Sequence, residues 1–179
     1  AAVTLTENAT QAKHETKTIL ALMRENMESN AEIVADGCEA IAQEASDDSG
    51  IDAKRIELGE LGACELVIDA LKWWMTSDAK VVAAACRAVR SLGRYDGNQI
   101  KLGSIGACEA LVDALKRWSA TEKDAAQWGC GAIRYLARID ANQVKLGSIG
   151  ACEAVVDALK RWGVTEKDMA YRGCGAIWN

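Results

Sequence analysis

The 179-residue sequence has no proline and a single histidine, His14, which we expect to be exposed on a first helix. It has no apolar run near the roughly 20 residues that a membrane-spanning helix needs, so no transmembrane segment is predicted. Its first residues, 1–4, lack the basic and then apolar pattern of a signal peptide. We therefore expect an intracellular protein, cytoplasmic or nuclear, that does not associate with membranes.

Residue patterns that support catalysis, metal binding or phosphate binding are also missing. There is no Cys-x-x-Cys pair, and one histidine cannot complete the usual zinc ligand sets. The recurrent Leu-Gly-Ser-Ile-Gly-Ala segments at 102–107 and 146–151 lack the Gly-Lys-Ser/Thr of a phosphate-binding loop. No nucleophile–base pair or carboxylate pair stands out. We predict that the chain is not an enzyme and uses no metal or cofactor.

The charge balance is mildly acidic, −5 at pH 7, whereas nucleic-acid-binding domains usually carry a clear positive excess. Half of the residues are apolar, so we expect a folded core rather than disorder. Alanine-rich stretches alternate with Glu, Lys and Arg, and this composition favours helices over strands. The composition therefore predicts an all-α fold.

Cysteine is the residue whose placement is most regular. Six of the seven cysteines are 22 residues apart and alternate between two sequence contexts, so the true period is 44. A period of this size is typical of an α-solenoid, a fold that usually provides a binding surface. The six residues are Cys64, Cys86, Cys108, Cys130, Cys152 and Cys174.

The copies of the 44-residue unit differ in how closely they match. Segments 98–133 and 142–177 are nearly identical, 54–89 is a more divergent copy, and a partial copy surrounds Cys38. Four extra residues near 46–50 lengthen the spacing from Cys38 to Cys64, as expected of an insertion in a loop. We predict one domain, 1–179, with a partial repeat at 1–45 and repeats at 46–93, 94–137 and 138–179, the last truncated.

Each unit has the pattern of a short helix, a second helix and a longer third helix. In the clearest copy the short helix covers 98–105, and Gly106 provides a left-handed turn. The second helix covers 108–118 and has one apolar face. The third helix is predicted to begin at Thr121, because Thr121-Glu122-Lys123-Asp124 has the spacing of a capping box.

These residues resemble the armadillo repeat pattern. Asn98-x-x-x-Leu102-x-x-x-Gly106-Ala107 is followed by Ala110-Leu111-Val112-x-x-Leu115 and then by Ala132-Ile133-x-x-Leu136-Ala137. The resemblance recurs across nearly the whole chain and implies a right-handed α-solenoid of armadillo-like three-helix repeats. Glu65, Glu109 and Glu153 replace a proline that is common at the start of the second helix, which changes a helix start rather than the architecture.

The third-helix cysteines lie on apolar stripes, such as Ala126, Cys130 and Ile133. A free cysteine behaves as a small buried hydrophobe, so we predict a packing role. The alternative, a redox or metal ladder, is disfavoured because stacked helices lie about 8–10 Å apart, beyond the Cα separation of about 7 Å that a disulfide allows. A tryptophan also recurs at the end of each second helix, where we predict structural packing rather than ligand contact: Trp74, Trp118 and Trp162.

A second stripe on the third helices varies between repeats, whereas the cysteine stripe is nearly constant. Positions fixed by packing should repeat, while positions that face a ligand are free to differ. The varying stripe is basic and aromatic in the middle of the chain, and Arg, Trp and Tyr are the residue types that anchor interfaces. The candidate ligand-binding residues are Arg87, Arg90, Ser91, Arg94, Trp128, Arg134, Tyr135, Arg138 and Arg172.

The armadillo resemblance implies that this stripe lines a concave groove, whose N-terminal end carries the acidic Asp36 and Glu39. Nuclear-import receptors and catenins grip extended peptides there with tryptophan and asparagine ladders. At the tryptophan positions this chain has Arg87, Gly131 and Gly175, and at the asparagine positions it has Ser91, Tyr135 and Asn179. The resemblance does not extend to recognition of basic peptides, and a basic groove suits an acidic one.

Three functions follow from the sequence. The one we favour is a non-catalytic protein–protein interaction scaffold or adaptor that binds an acidic peptide or protein segment on the concave face. The second is purely structural: a fragment of a larger solenoid or a designed repeat protein that forms homo-oligomers through uncapped ends. The third and weakest is single-stranded nucleic-acid binding through arginines and stacking aromatics.

Overall fold

The computed structural model describes residues 2–46 and 52–179, with side chains described from residue 14 onward. The predicted insertion near 46–50 lies mostly outside these residues. His14 is exposed on the first helix, as predicted. Every regular element in the described ranges is an α-helix: α1 (Ala2–Asn26), α2 (Ala31–Ala45), α3 (Ala53–Glu60), α4 (Ala63–Trp74), α5 (Ala79–Leu92), α6 (Asp96–Ser104), α7 (Ala107–Trp118), α8 (Lys123–Leu136), α9 (Asp140–Ser148), α10 (Ala151–Trp162) and α11 (Lys167–Trp178).

The helices stack in three rows that run along the molecule. The row of third helices is α2, α5, α8 and α11, and each packs on the next. The row of second helices is α1, α4, α7 and α10, while the short first helices α3, α6 and α9 form the remaining row. The helix pair α1–α2 therefore precedes three repeats of three helices each. We refer to α3–α5, α6–α8 and α9–α11 as repeats A, B and C.

A left-handed glycine connects the first and second helices of every repeat. Gly62, Gly106 and Gly150 have φ of 88°, 90° and 85°. A side chain is strained in this backbone conformation, so glycine is required at the turn. The predicted turn at Gly106 is confirmed, and the short helix and second helix on either side of it lie within a residue or two of their predicted bounds.

The start of the third helix in repeat B differs from the prediction. Helix α8 begins at Lys123, its N-cap is Glu122, and no side chain caps it. Thr121 lies in the preceding turn, where its N–H donates to the Trp118 carbonyl at 3.1 Å, one residue too early to act as a cap. By contrast, Asp78 caps α5 by accepting from the Val81 N–H at 3.0 Å. The capping-box interpretation of Thr121 is therefore wrong.

The core runs between the rows, and the cysteines lie in it as predicted, with two exceptions. Cys38, Cys64, Cys86, Cys108 and Cys130 are buried and free, which confirms the packing role. Burial disfavours the thiolate, and it raises the pKa of Cys86 and of Cys130 to about 12. Cys152 and Cys174 are exposed, because no described helix packs over this side of repeat C. Within the described residues, no group of three or more His, Cys, Asp or Glu side chains could hold a metal ion.

The recurring tryptophans hold neighbouring repeats together. Each of them is half-buried, and its Nε1 donates to a backbone carbonyl of the preceding unit: Trp74 to Met27 at 2.9 Å, Trp118 to Met75 at 2.6 Å and Trp162 to Ser119 at 2.6 Å. The hydrogen bond fixes the polar edge of the indole while the ring packs on the core. The predicted structural role of these residues is confirmed.

No helix in the described ranges has the length and apolarity to cross a bilayer.

Candidate ligand-binding face

Three arginines surround one tryptophan on the surface formed by the row of third helices. The guanidinium carbons of Arg172, Arg87 and Arg90 lie 4.1, 5.2 and 5.5 Å from the centre of the Trp128 ring. Arg87 and Arg90 come from α5, Trp128 from α8 and Arg172 from α11, so the cluster spans three repeats. The stacking of the third helices therefore brings together residues that are up to 85 positions apart in the sequence.

Two tyrosines extend the cluster. Arg90 also lies over the Tyr135 ring at 5.9 Å, and Arg134 lies over the Tyr171 ring at 4.5 Å. Tyr171 is exposed and was not among the predicted residues. It stands where Gln127 stands in the nearly identical copy, and that difference is the signal that could have revealed it. We call this surface the arginine face: Arg87, Arg90, Trp128, Arg134, Tyr135, Tyr171 and Arg172.

Two glycines leave room for the arginine side chains to pack closely against the third helices. A Cβ built on Gly131 would lie 3.0 Å from Arg90 Cδ and 3.2 Å from Arg172 Cδ. A Cβ on Gly175 would lie 2.6 Å from Arg134 Nε and 2.7 Å from its Cδ. These glycines are at two of the positions where the armadillo resemblance implies tryptophan. The side chain missing from each helix leaves a groove that the arginine of the preceding repeat fills.

The arginine face concentrates positive charge in a chain whose net charge is negative. Burial lowers the pKa of Arg90, and the neighbouring Arg94, Arg134 and Arg87 lower it further, although Tyr135 opposes them. Burial also lowers the pKa of Arg172, and the positive charge of the neighbouring Arg90 lowers it further. Both shifts mean that the charged forms are held close together and partly desolvated. An anion at this surface would relieve the repulsion.

Only part of this charge is neutralised within the chain. Arg87 forms an ion pair with Glu39, and Arg172 Nη2 lies 3.3 Å from Asp168 Oδ2. Arg90 and Arg134 make no ion pair with any described residue, and the buried Nη1 of Arg172 has no hydrogen-bond partner there. The arginine face thus retains unused hydrogen-bond donors next to an aromatic surface. The predicted acidic end of the groove is itself engaged, because Glu39 binds Arg87 and Asp36 lies 3.8 Å from Lys80 Nζ.

Three predicted residues lie apart from this cluster. Ser91 is fully buried with its Oγ 3.1 Å from the Ser46 Oγ, so its assignment to a ligand surface is wrong. Its helical position faces the stacked neighbour α2 instead of solvent. Arg94 follows the end of α5 and is half-buried, whereas Arg138 follows α8 and is exposed. Arg138 lines a recess of about 280 Å³ together with Arg134, Tyr135 and Trp178. In the same region the Asn179 side-chain amide donates to the Arg134 backbone carbonyl at 2.8 Å, so the Asn179 side chain is held against the backbone of the preceding repeat.

Comparison with known proteins gives structural matches alone. No protein-family model matches the sequence, and no curated protein sequence matches it. Two crystal structures of engineered proteins from the Northeast Structural Genomics Consortium superpose with TM-scores of 0.75, at 18% and 20% identity. They match 91% and 90% of this chain, which spans about three fifths of their length (61% and 62%). A designed armadillo repeat protein in complex with the peptide (KR)4 superposes with a TM-score of 0.71 at 19% identity, covering 96% of this chain and 75% of that one.

The fold is an armadillo-like helical repeat. At this level of identity the similarity establishes the fold alone, so the use of the armadillo-like surface has to be argued from its own residues. At the six ladder positions named above, only Asn179 has the residue that the armadillo resemblance implies.

Proposed function

We propose that this chain is a non-catalytic scaffold or adaptor whose arginine face binds an acidic peptide or protein segment. The observation that carries the proposal is the set of guanidinium groups around Trp128, two of which, Arg90 and Arg172, are partly desolvated. Guanidinium groups bind carboxylates through paired hydrogen bonds, and such charge-assisted bonds are about twice as strong as neutral ones.

The spacing of the arginines supports an extended ligand. Arg90 and Arg134 occupy equivalent positions in successive third helices, and neighbouring helices pack about 8–10 Å apart. An extended chain advances about 3.3 Å per residue, so about three ligand residues correspond to one repeat. We therefore expect acidic residues at intervals of about three in the ligand. The aromatic rings act mainly by holding the guanidinium groups in place, since their faces are occupied by arginine.

The charge of the arginine face sets this chain apart from its designed neighbour. That protein is in complex with the peptide (KR)4, whose charge is positive. A positive peptide would meet Arg90, Arg134 and Arg172 here and be repelled. The same kind of helix stack thus supports the opposite charge preference in this chain.

The test is a binding titration with two matched double variants. A fluorescein-labelled octaglutamate peptide is titrated with the wild-type chain, with Arg90→Ala/Arg134→Ala and with Arg117→Ala/Arg161→Ala, using fluorescence anisotropy. Arg117 and Arg161 lie 5.3 and 4.7 Å from the rings of Trp118 and Trp162, on the second helices. The control thus removes the same charge and the same type of ring contact from a different surface.

We expect the first double variant to weaken binding by more than about 100-fold, since it loses at least two hydrogen bonds to charged groups and each costs about 1.5–3 kcal/mol. The control should change the affinity less than threefold, and raising the salt concentration should weaken binding to the wild-type chain. Equal affinities of the two double variants would contradict the proposal. Single-stranded oligonucleotides that bind more tightly than the peptide would favour the nucleic-acid alternative instead.

A second candidate role is that of an element in a larger repeat array. Trp178 is 89% exposed, Ile177 45% and Val164 95%, all in or beside α11. Exposed apolar groups of this size favour association, so homo-oligomers through the ends of the solenoid stay a prediction. Light scattering that shows only monomers at high protein concentration would contradict it.

The free, buried cysteines suit a reducing compartment, so we also propose an intracellular location.

A further inference from the structure

The junctions between successive repeats use the same contacts each time. At the first contact a buried asparagine of the incoming short helix lies against a glycine of the preceding short helix. Asn98 lies against Gly59 and donates to the Arg55 carbonyl at 2.9 Å, and Asn142 lies against Gly103 and donates to the Gln99 carbonyl at 2.9 Å. A side chain at either glycine would occupy the space of the asparagine amide.

Charged side chains make the second and third contacts of each junction. A lysine of the incoming short helix pairs with a glutamate of the preceding second helix: Lys101 with Glu65 at 2.8 Å and Lys145 with Glu109 at 2.6 Å. In the reverse direction, Lys72 donates to the Ile105 carbonyl at 3.0 Å and Lys116 to the Ile149 carbonyl at 3.1 Å. The tryptophan hydrogen bonds described above form the fourth contact.

Repeat C carries the receiving half of every one of these contacts. Gly147 is the counterpart of Gly59 and Gly103, yet a Cβ there would meet nothing within 4 Å. Glu153 makes no ion pair with any described residue, and Lys160 reaches only Asp157 on its own helix, at 3.3 Å. Gly163 is the counterpart of Met75 and Ser119, whose backbone carbonyls accept the tryptophan hydrogen bonds of the next repeat.

An apolar surface lies between these polar positions. It forms a recess of about 210 Å³ lined by Leu146, Cys152, Val155 and Ile177, among others. Cys152 and Ile177 are exposed in this recess, whereas their counterparts in repeat B, Cys108 and Ile133, are 0% and 2% exposed because repeat C covers them. The recess and the polar positions therefore have the arrangement that receives a repeat elsewhere in the molecule.

We propose that the outer face of repeat C, formed by α9, α10 and α11, is a docking site for a further three-helix repeat of the same sequence type. The occupant has an asparagine and a lysine three residues apart on its short helix and a tryptophan at the end of its second helix. The N-terminal end of a second copy does not match, because Thr6 and Asn26 stand at the positions of Asn142 and Trp162. This inference is independent of the proposed peptide binding.

The test extends the full chain by a second copy of residues 136–179, joined after Asn179 so that the 44-residue period continues. The two cysteines of the added copy are replaced by serine. In the wild-type chain Cys152 and Cys174 are exposed and should react with a thiol reagent, while the other five, which are buried, should react slowly. In the extended chain we expect both to react at least tenfold more slowly, with a helical circular dichroism signal that grows in proportion to length.

The matched controls are Gly147→Leu and Glu153→Lys, each made in the extended and in the wild-type chain. Both positions are exposed in the wild-type chain, so its fold and its thiol reactivity should not change. In the extended chain each variant should restore fast labelling of Cys152 and Cys174, because one fills the asparagine site and the other repels the incoming lysine.

Fast labelling of both cysteines in the unsubstituted extended chain would overturn the proposal. Protection of the same cysteines in the wild-type chain at high concentration, together with a dimeric mass, would assign the face to a second copy instead.

Discussion

Gly103 and Gly147 occupy the same position in consecutive repeats, and we predict that alanine has opposite effects at the two sites. A Cβ at Gly103 would lie 2.6 Å from Asn142 Cγ and 2.8 Å from its Nδ2, closer than carbon packing allows. A Cβ at Gly147 would meet nothing within 4 Å. The two substitutions are identical in chemistry and in helix position, so any difference reports the contact with Asn142.

The expected magnitudes follow from the contacts. Displacing Asn142 breaks its 2.9 Å bond to the Gln99 carbonyl and leaves buried polar groups unpaired, a loss of about 2–4 kcal/mol, counting about 1–3 kcal/mol per unpaired group. Alanine in place of glycine in a helix by itself raises the free energy of unfolding by up to about 1 kcal/mol. Gly103→Ala should therefore lower the free energy of unfolding by about 2 kcal/mol. Gly147→Ala should raise it by up to about 1 kcal/mol.

Thermal melts followed by circular dichroism measure both effects. For a chain of this size about 1 kcal/mol corresponds to 2–4 °C, so Gly103→Ala should lower Tm by about 4–8 °C while Gly147→Ala raises it slightly. The double variant Gly103→Ala/Asn142→Ala should be no less stable than Asn142→Ala alone, because the clash is gone. Shifts of the same sign and size at the two glycines would refute the reasoning.

Three further predictions concern the helix ends and the core. Glu122→Ser gives α8 the missing side-chain cap and should raise the free energy of unfolding by about 1 kcal/mol, measured by urea titration. No gain in stability would mean that the first N–H groups of α8 already have hydrogen-bond partners. Trp118→Phe removes the 2.6 Å bond to the Met75 carbonyl and should lower Tm by several degrees, and an unchanged Tm would count against its role between repeats. Burial raises the pKa of Cys86 and of Cys130 to about 12, so the folded state holds their protons more tightly than the unfolded state, whose thiols ionise near pH 9. Stability should therefore fall as pH rises from about 9 towards 12, and Cys86→Ala/Cys130→Ala should weaken that fall.

The repeat architecture was predictable from the sequence because it depends on local and periodic signals. The 44-residue period, the turn at Gly106 and the packing of most cysteines are each expressed within one unit and then repeated. The exceptions, Cys152 and Cys174, show the limit of that reasoning. Their sequence context is the same as that of the buried cysteines, but no described helix packs over them, and a local sequence pattern does not report that difference.

The geometry of the candidate site was less predictable, because it depends on contacts between repeats. The variable stripe identified the arginines and Trp128, but the convergence of three guanidinium groups on one ring required the actual stacking of α5, α8 and α11. Ser91 was assigned to the surface on helical spacing, although the stacking of α2 on α5 buries it. Asn98 belongs to the armadillo-like pattern and Asn142 is its counterpart in repeat C, yet the glycine that each contacts and the carbonyl of the preceding repeat that each binds lie more than 35 residues away.

The sameness of the junctions also affects how the chain folds. Repeats B and C present the same asparagine, lysine and tryptophan to the repeat before them, at Asn98 and Asn142, for example. During refolding, repeat C can therefore dock on repeat A in place of repeat B, satisfying a native-type junction while the 44 residues of B are looped out. Such a misregistered chain has to open again before it can reach the native order, so we expect neighbouring copies this similar to slow the refolding of the molecule.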